Sequence, residues 1–168
     1  DVPILVTRKE PLEYRHNRLI KRVFDIVFSL LVVVFVFPWL FPILAIAIKL
    51  NSKGPIFFTQ KRSGLNNQVF KVIKFRTMVV NSQADQIQAT ENDSRITKVG
   101  SFLRRHNLDE LPQFFNVLAG QMSVVGPRPH MLNHTAEYRE LIDTFMVRHF
   151  NSHGITGLAQ SRGLRGET

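Results

Sequence analysis

Between Val23 and Leu50 the chain is almost unbroken hydrocarbon, VFDIVFSLLVVVFVFPWLFPILAIAIKL, and from Ile26 to Ile48 only Ser29, Pro38 and Pro42 interrupt the apolar run. About 20 apolar residues suffice to cross the hydrocarbon of a bilayer, so length permits a membrane helix. Each proline lacks an N–H and crowds the carbonyl four residues back, which kinks or breaks a helix. Basic residues flank both ends, Arg15, Arg18, Lys21 and Arg22 before the run and Lys49 and Lys53 after it. Positive charge marks the cytoplasmic side of a membrane segment, so both ends are expected on that side. The pattern predicts a helix–break–helix hairpin that enters the membrane and returns to the same face, with an ordinary proline-kinked span as the alternative. A buried core helix of a soluble domain fits less well, because the run is apolar all round.

The rest of the chain alternates more finely. Pro3 to Thr7 is a short strand-like run, and Leu12 to Arg22 is a basic, amphipathic lead-in suited to lipid headgroups. NSKGP after Leu50 is a turn signal. Pro55 to Gln60 and Val69 to Met78 read as two strands of a hairpin around KRSGLNNQ. Asn81 to Ser94 is polar without period, a loop. A short helix is expected from Ser101 to the basic pair Arg104–Arg105, and another from Leu111 to Ala119, stopped by Gly120. Gln121 to Val125 is extended, Gly126-Pro127-Arg128-Pro129 is a rigid non-helical turn, and Ala136 to His149 has helical periodicity. The fold class is therefore α+β, mainly helical with a small β-hairpin or sheet, plus the proline-broken re-entrant membrane helix. Residues 1–18 form a linker, 19–50 the membrane helix and 51–168 a cytoplasmic domain.

Composition narrows the chemistry. The 168 residues contain no cysteine, which excludes disulfides and thiolate metal sites. Twenty-two Lys and Arg against thirteen Asp and Glu give a formal charge of +9, which favours anionic partners. Beside a membrane helix those partners are an anionic lipid surface and a phosphorylated substrate. No nucleic-acid motif is present, and nucleic-acid binding leaves the apolar run unexplained. The six histidines show no metal-ligand spacing with a third ligand nearby.

The densest candidate chemistry is Asn107-Leu108-Asp109-Glu110-Leu111-Pro112. One reading is helix capping, by Asn107 with Glu110 three residues on, or by Asp109 with Pro112 in the first turn. The other is catalytic. A carboxylate at a helix start can attack phosphorus or bind Mg²⁺, while Arg104 and Arg105 neutralise phosphoryl oxygens. Both remain open on local pattern. Arg128, fixed between Pro127 and Pro129, is pre-organised for bidentate phosphate recognition or is a solvated turn residue. Lys74 and Arg76 share one strand face, solvated or lining a phosphate site.

The order of segments is informative in itself: KRVFDIVFSL, the proline-broken helix, GPIFFTQKRSG, FKVIKFRTM, LDELPQFFNVLAGQMSVVGPRP and GITGLAQ. From Leu19 to Thr168 it resembles the catalytic domain of the bacterial monotopic phosphoglycosyl transferases, the bacterial sugar transferase family. GLRGET is similar to the hexose-1-phosphate transferases of surface-polysaccharide synthesis, exopolysaccharide and capsule included, and the lead-in resembles the linker of larger members.

The resemblance implies transfer of a sugar 1-phosphate from a UDP-sugar to undecaprenyl phosphate, with release of UMP, at the cytoplasmic face of the inner membrane. It implies Asp109 as nucleophile and Mg²⁺ ligand, with a covalent phosphosugar intermediate. Glu110 would assist with the metal or with protons. Lys74, Arg76, Arg104, Arg105, Pro127, Arg128, Pro129 and Gln160 would form the substrate site, and Pro38 the membrane break. His153 stands where the family usually has proline, and Ser161-Arg162-Gly163 where it usually has Val-Asn-Gly. The family domain runs beyond Thr168, so truncation there is expected. A membrane-anchored binding module without turnover is the competing reading. The residues name neither the sugar nor an oligomeric state.

Overall fold

The computed structural model describes residues 11–65, 68–80, 93–129, 152–157 and 161. After a 3₁₀ turn at Pro11–Glu13, helix α1 (Arg15–Leu31) passes through a π-helical turn (Val32–Val36) into α2 (Phe37–Asn51). Strands β1 (Phe57–Ser63) and β2 (Val69–Phe75) form an antiparallel hairpin that sets Lys74 opposite Phe58. Helix α3 (Lys98–Arg105), a 3₁₀ turn (Leu108–Glu110) and α4 (Gln113–Leu118) follow. Strands β3 (Ser123–Val125) and β4 (Gly154–Thr156) pair in parallel. The α+β class holds, with the strands split into two two-stranded sheets. The expected strand at 3–7, the helix at 136–149 and most of the loop at 81–94 lie outside the described residues.

The apolar run is helical throughout. The expected break at Pro38 is not seen: the helix continues through it, with a π-turn just before it closed by the Phe37 N–H on the Val32 carbonyl. Pro38 then falls in the first turn of α2, where a missing N–H is tolerated. Pro42 lies inside α2. The π-turn also re-phases the buried face. On α1 that face is Asp25 and Ser29, in the π-turn the half-buried Val32 and Val33, and on α2 Phe37, Leu44 and Ile48. A regular α-helix would have carried the stripe from Ser29 through Val36, which is exposed instead. The π-turn's extra residue moves every later inward position along by one.

Two apolar clusters hold the rest against this helix. Phe70 and Val72 of β2 pack with Phe114, Val117, Met122 and Val124, and Val32 and Val33 lean on them. Leu44 and Ile48 pack with Phe75 and Leu103. Arginines close two helix ends. Arg22 of α1 donates to the Val117 and Leu118 carbonyls at the end of α4 (2.6 and 2.9 Å), and Arg76 donates to the Ser52 and Lys53 carbonyls after α2. Cations suit the negative end of a helix dipole, and here they also join elements distant in sequence.

Helix α3 begins at Lys98, earlier than expected, because the Thr97 side chain accepts from the Gly100 N–H (2.9 Å) as an N-cap. Helix α4 ends where the sequence predicts, with Gly120 in the left-handed region at φ +79°.

Candidate active site

The 3₁₀ turn Leu108–Glu110 places two adjacent carboxylates, both buried, at the centre of the candidate site. Asn107, left-handed at φ +55°, turns the chain out of α3 and into them. The capping reading of this segment is overturned. Asn107 makes no side-chain cap bond, and α4 starts at Gln113 with Pro112 in the cap position. Pro112 fits there because the donor it lacks has no partner at a helix start.

Glu110 gathers the cations. Its Oε1 accepts from Lys74 Nζ at 2.7 Å and from Arg128 Nη2 at 2.7 Å, while Oε2 lies 3.4 Å from Arg128 Nη1. Burial pushes the Glu110 carboxyl up, but Lys74 and Arg128 outweigh it and hold its pKa down at about 2. Lys74 is pushed below its ordinary value by burial, with Glu110 opposing. Asp109 behaves differently. Burial raises its carboxyl above the ordinary range against the pull of Lys74, and the neighbouring Glu110 charge adds to the rise. Arg104, half-buried on α3, favours the ionised form of Asp109.

A cleft of about 350 Å³ opens beside this cluster. Glu110, Arg128, Asn107 and Thr156 supply its polar lining, and Leu111, Phe114 and Ile155 its apolar wall. The turn carrying Arg128 is pinned by the parallel strands: Gly126 N–H donates to Thr156 O and Gly154 N–H to Pro127 O, both at 2.9 Å. Gly126 and Gly154 approach so closely that a Cβ on either would collide with the other's backbone.

The structure therefore brings Lys74, Asp109, Glu110 and Arg128 together, with Pro127 and Pro129 shaping the turn and Arg104 nearby. Arg105 is exposed on the last turn of α3. Arg76 is not part of the cluster; it lies just past β2, only 5% exposed, committed to the carbonyls after α2. Gln160 lies outside the described residues.

Among the described residues no three His, Asp or Glu side chains converge as a metal cage. The donor set is two carboxylates. It fits Mg²⁺, which commonly takes one or two protein carboxylates and completes its shell from water and substrate phosphate.

Sequence reasoning missed the residues that hold the site strands. Asn116 donates to Lys71 O (2.8 Å) and accepts from Ile73 N–H (3.0 Å), so its amide occupies the open edge of β2 like a peptide unit. Asp25 accepts from Val124 N–H and Ser123 Oγ (both 2.9 Å) on β3. The available signals were a polar Asn within an apolar helix and the i, i+4, i+8 spacing of Lys21, Asp25 and Ser29 on one helix face.

The family model for bacterial sugar transferases matches residues 16–168. The chain is 52% identical over 168 residues to a UDP-glucose:undecaprenyl-phosphate glucose-1-phosphate transferase from Klebsiella pneumoniae, covering 99% of this chain and 36% of that protein. A protein of the same name from Escherichia coli K12 is 52% identical over 169 residues, with the same coverage. A UDP-N-acetylgalactosamine-undecaprenyl-phosphate N-acetylgalactosaminephosphotransferase from Aeromonas hydrophila is 45% identical over 117 residues, covering 69% of this chain and 28% of that protein. The chain thus spans about a third of the length of the Klebsiella pneumoniae and Escherichia coli relatives. With the family match running from the first turn of α1 to the last residue, the chain belongs to the bacterial sugar transferase family.

Proposed function

We propose that this chain transfers a hexose 1-phosphate from a UDP-sugar to undecaprenyl phosphate, releasing UMP, with Asp109 as the nucleophile. The observation that carries the reading is Glu110 at the edge of a cleft, bonded to Lys74 and Arg128, with the buried Asp109 carboxylate next to it in the chain. Glucose is the sugar to test first, because two relatives 52% identical over 99% of this chain are named for UDP-glucose.

In the first step an Asp109 oxygen bonds to the β-phosphorus as the bond from that phosphorus to the bridging oxygen breaks. The electron pair leaves on UMP, and the sugar phosphate stays on Asp109 as an acyl phosphate. A phosphate oxygen of the lipid then bonds to the same phosphorus, and the Asp109 carboxylate departs. Burial strips water from Asp109, while Lys74 and Arg104 favour its ionised, attacking form. Glu110 is a poor proton carrier at neutral pH with a pKa of about 2. Beyond the expected roles with the metal or with protons, the geometry favours a third, orienting charge, since Glu110 fixes Lys74 and Arg128 beside the cleft. Mg²⁺, held by Asp109 and the diphosphate, would supply further neutralisation of phosphate charge.

The apolar helix supports placing the site at a lipid surface. Arg15–Asn51, 37 residues, is long and apolar enough to cross a membrane by length and composition. At 1.5 Å per residue it runs about 55 Å, against about 30 Å of hydrocarbon. Contacts with the folded unit extend from Lys21 to Asn51, whose Oδ1 accepts from the Val99 N–H, while Phe35, Trp39, Ile43, Ile46 and Leu50 are exposed. A helix held along most of its length by one unit suits entry into a single leaflet from the cytoplasmic face of the inner membrane, rather than a crossing that leaves the unit behind.

The test is UMP release from UDP-glucose with Mg²⁺ and undecaprenyl phosphate. Release that needs the lipid and disappears in Asp109→Ala is expected. Turnover surviving in that variant would assign the nucleophile elsewhere, and nucleotide binding without turnover would favour a binding module.

A further inference from the structure

Strand β3 is short, and its two edges are held differently. One edge pairs with β4, with Ser123 N–H on His153 O at 2.8 Å and Gly126 N–H on Thr156 O at 2.9 Å. The other faces α1, where side chains replace a neighbouring strand. Asp25 Oδ1 accepts from Val124 N–H and from Ser123 Oγ, each at 2.9 Å. Lys21 Nζ donates to Val125 O at 2.9 Å and also contacts Ser123 Oγ. Lys21 and Asp25, one turn apart, together satisfy an N–H and a C=O on consecutive residues of β3. Asp25 is only 3% exposed, an acid buried where the basic first half of α1 gives way to the apolar run. Three residues beyond Val125, Arg128 meets Glu110.

We infer that Asp25, through the Lys21–Asp25 clamp on β3, is a positioning residue for Arg128: the seat of the apolar helix sets where that guanidinium stands in the candidate site. The inference rests on the transferase reading for its kinetic consequence, but its structural core does not need turnover. An ionised side chain on a backbone N–H makes a strong hydrogen bond, and Val124 N–H has this acceptor on the side of β3 away from β4. Without it, Val124 N–H loses its side-chain acceptor and Lys21 still holds Val125 O on that side of β3, so a displacement at Val124 is carried by Gly126 into the Arg128 turn.

A double-mutant cycle on the full chain in detergent tests this. Asp25→Ala and Arg128→Ala are each expected to raise the KM for UDP-glucose about tenfold with a smaller change in kcat, and the double variant should fall well short of the product of the two. Asp25→Asn, which keeps a side-chain acceptor for Val124 N–H, should restore most of the loss. Arg22→Ala is the control: it removes the α1 contact to the end of α4 rather than to β3, so its effect should multiply with that of Arg128→Ala. Multiplicative effects for Asp25→Ala, or no rescue by Asp25→Asn, would overturn the inference. If Asp25→Ala fails to fold, Ser123→Ala enters the same cycle. Hydrogen exchange separates this idea from the transferase reading. The amides of Val124, Val125, Gly126 and Arg128 should exchange faster in Asp25→Ala whatever the wild type catalyses, and unchanged exchange there would sink the positioning role even in an active enzyme.

Discussion

Along α1, the side chains that grip the folded unit hardest are Lys21, Arg22 and Asp25, and each meets a backbone group of β3 or α4. Along α2 they are Phe41, Leu44 and Ile48, which meet Phe57, Phe75 and Leu103 through hydrocarbon alone. The two halves dock on one unit with a different balance of contacts, although Phe28 of α1 also meets Phe114 and Asn51 of α2 also accepts from the Val99 N–H. Hydrogen bonds to fixed backbone groups are directional and fix position to tenths of an ångström, but their net contribution to stability is modest. Apolar burial is nearly indifferent to small sliding, yet it contributes most of the energy. The directional half lies beside the strand that leads to Arg128, and the apolar half beside the hairpin end and α3. Precision is placed where the candidate chemistry needs it.

The largest expected effect is on the apolar side. Ile48 is 2% exposed, wedged among Leu44, Phe75 and Leu103. Ile48→Ala should cost roughly 2–5 kcal/mol of unfolding free energy, read by denaturant titration in detergent. A cost under about 1 kcal/mol would break the comparison by showing that α2 is held mainly by lipid or detergent.

Acid should separate polar from apolar contacts. Glu110 has a folded pKa of about 2 against an ordinary 4.5, so it contributes stability that is present above about 4.5 and lost as pH falls towards 2. Asp109, shifted upward, acts in the opposite sense, favouring the fold at low pH and losing that contribution as pH rises. In chelator-treated protein, Tm should fall between about pH 4.5 and 2, and Glu110→Gln should flatten that fall. An identical pH profile in the variant would show that other carboxylates control it.

The smallest effect sharpens the comparison. Ser29 is fully buried on the polar stripe of α1, and its hydroxyl has no hydrogen-bond partner among the described residues. Ser29→Ala removes an unsatisfied polar group, so stability should stay level or rise by up to about 1 kcal/mol. A loss above about 1 kcal/mol would mean that the hydroxyl is satisfied in lipid, extending the directional contacts one turn further.

Much of this was legible in the residues because it depends on local pattern. The apolar run, the hairpin, the helix stopped at Gly120 and the non-helical turn around Arg128 each follow from neighbours in sequence, and each stands in the structure. Boundaries moved where a side chain intervened, as Thr97 did in starting α3 early. Arg76 misled because alternation assigns a strand face, and the chain leaves β2 at Phe75, one residue before it. The parallel pairing of β3 with β4 was not legible, since three-residue strands separated by a long stretch carry little periodic signal.

The sequence by itself determined that an apolar helix flanked by basic residues precedes a small α+β unit, and that Asp109 and Glu110 stand beside arginines in a characteristic order of segments. Those properties reside in composition, spacing and period. Only the tertiary structure decided which cations reach Glu110, since Lys74 and Arg128 lie 36 and 18 residues away along the chain. It alone decided that adjacent carboxylates shift in opposite directions, because burial and charge neighbours belong to the fold. The tie between the apolar helix and the Arg128 turn was its decision too, through contacts between Asp25 and a strand about a hundred residues further on.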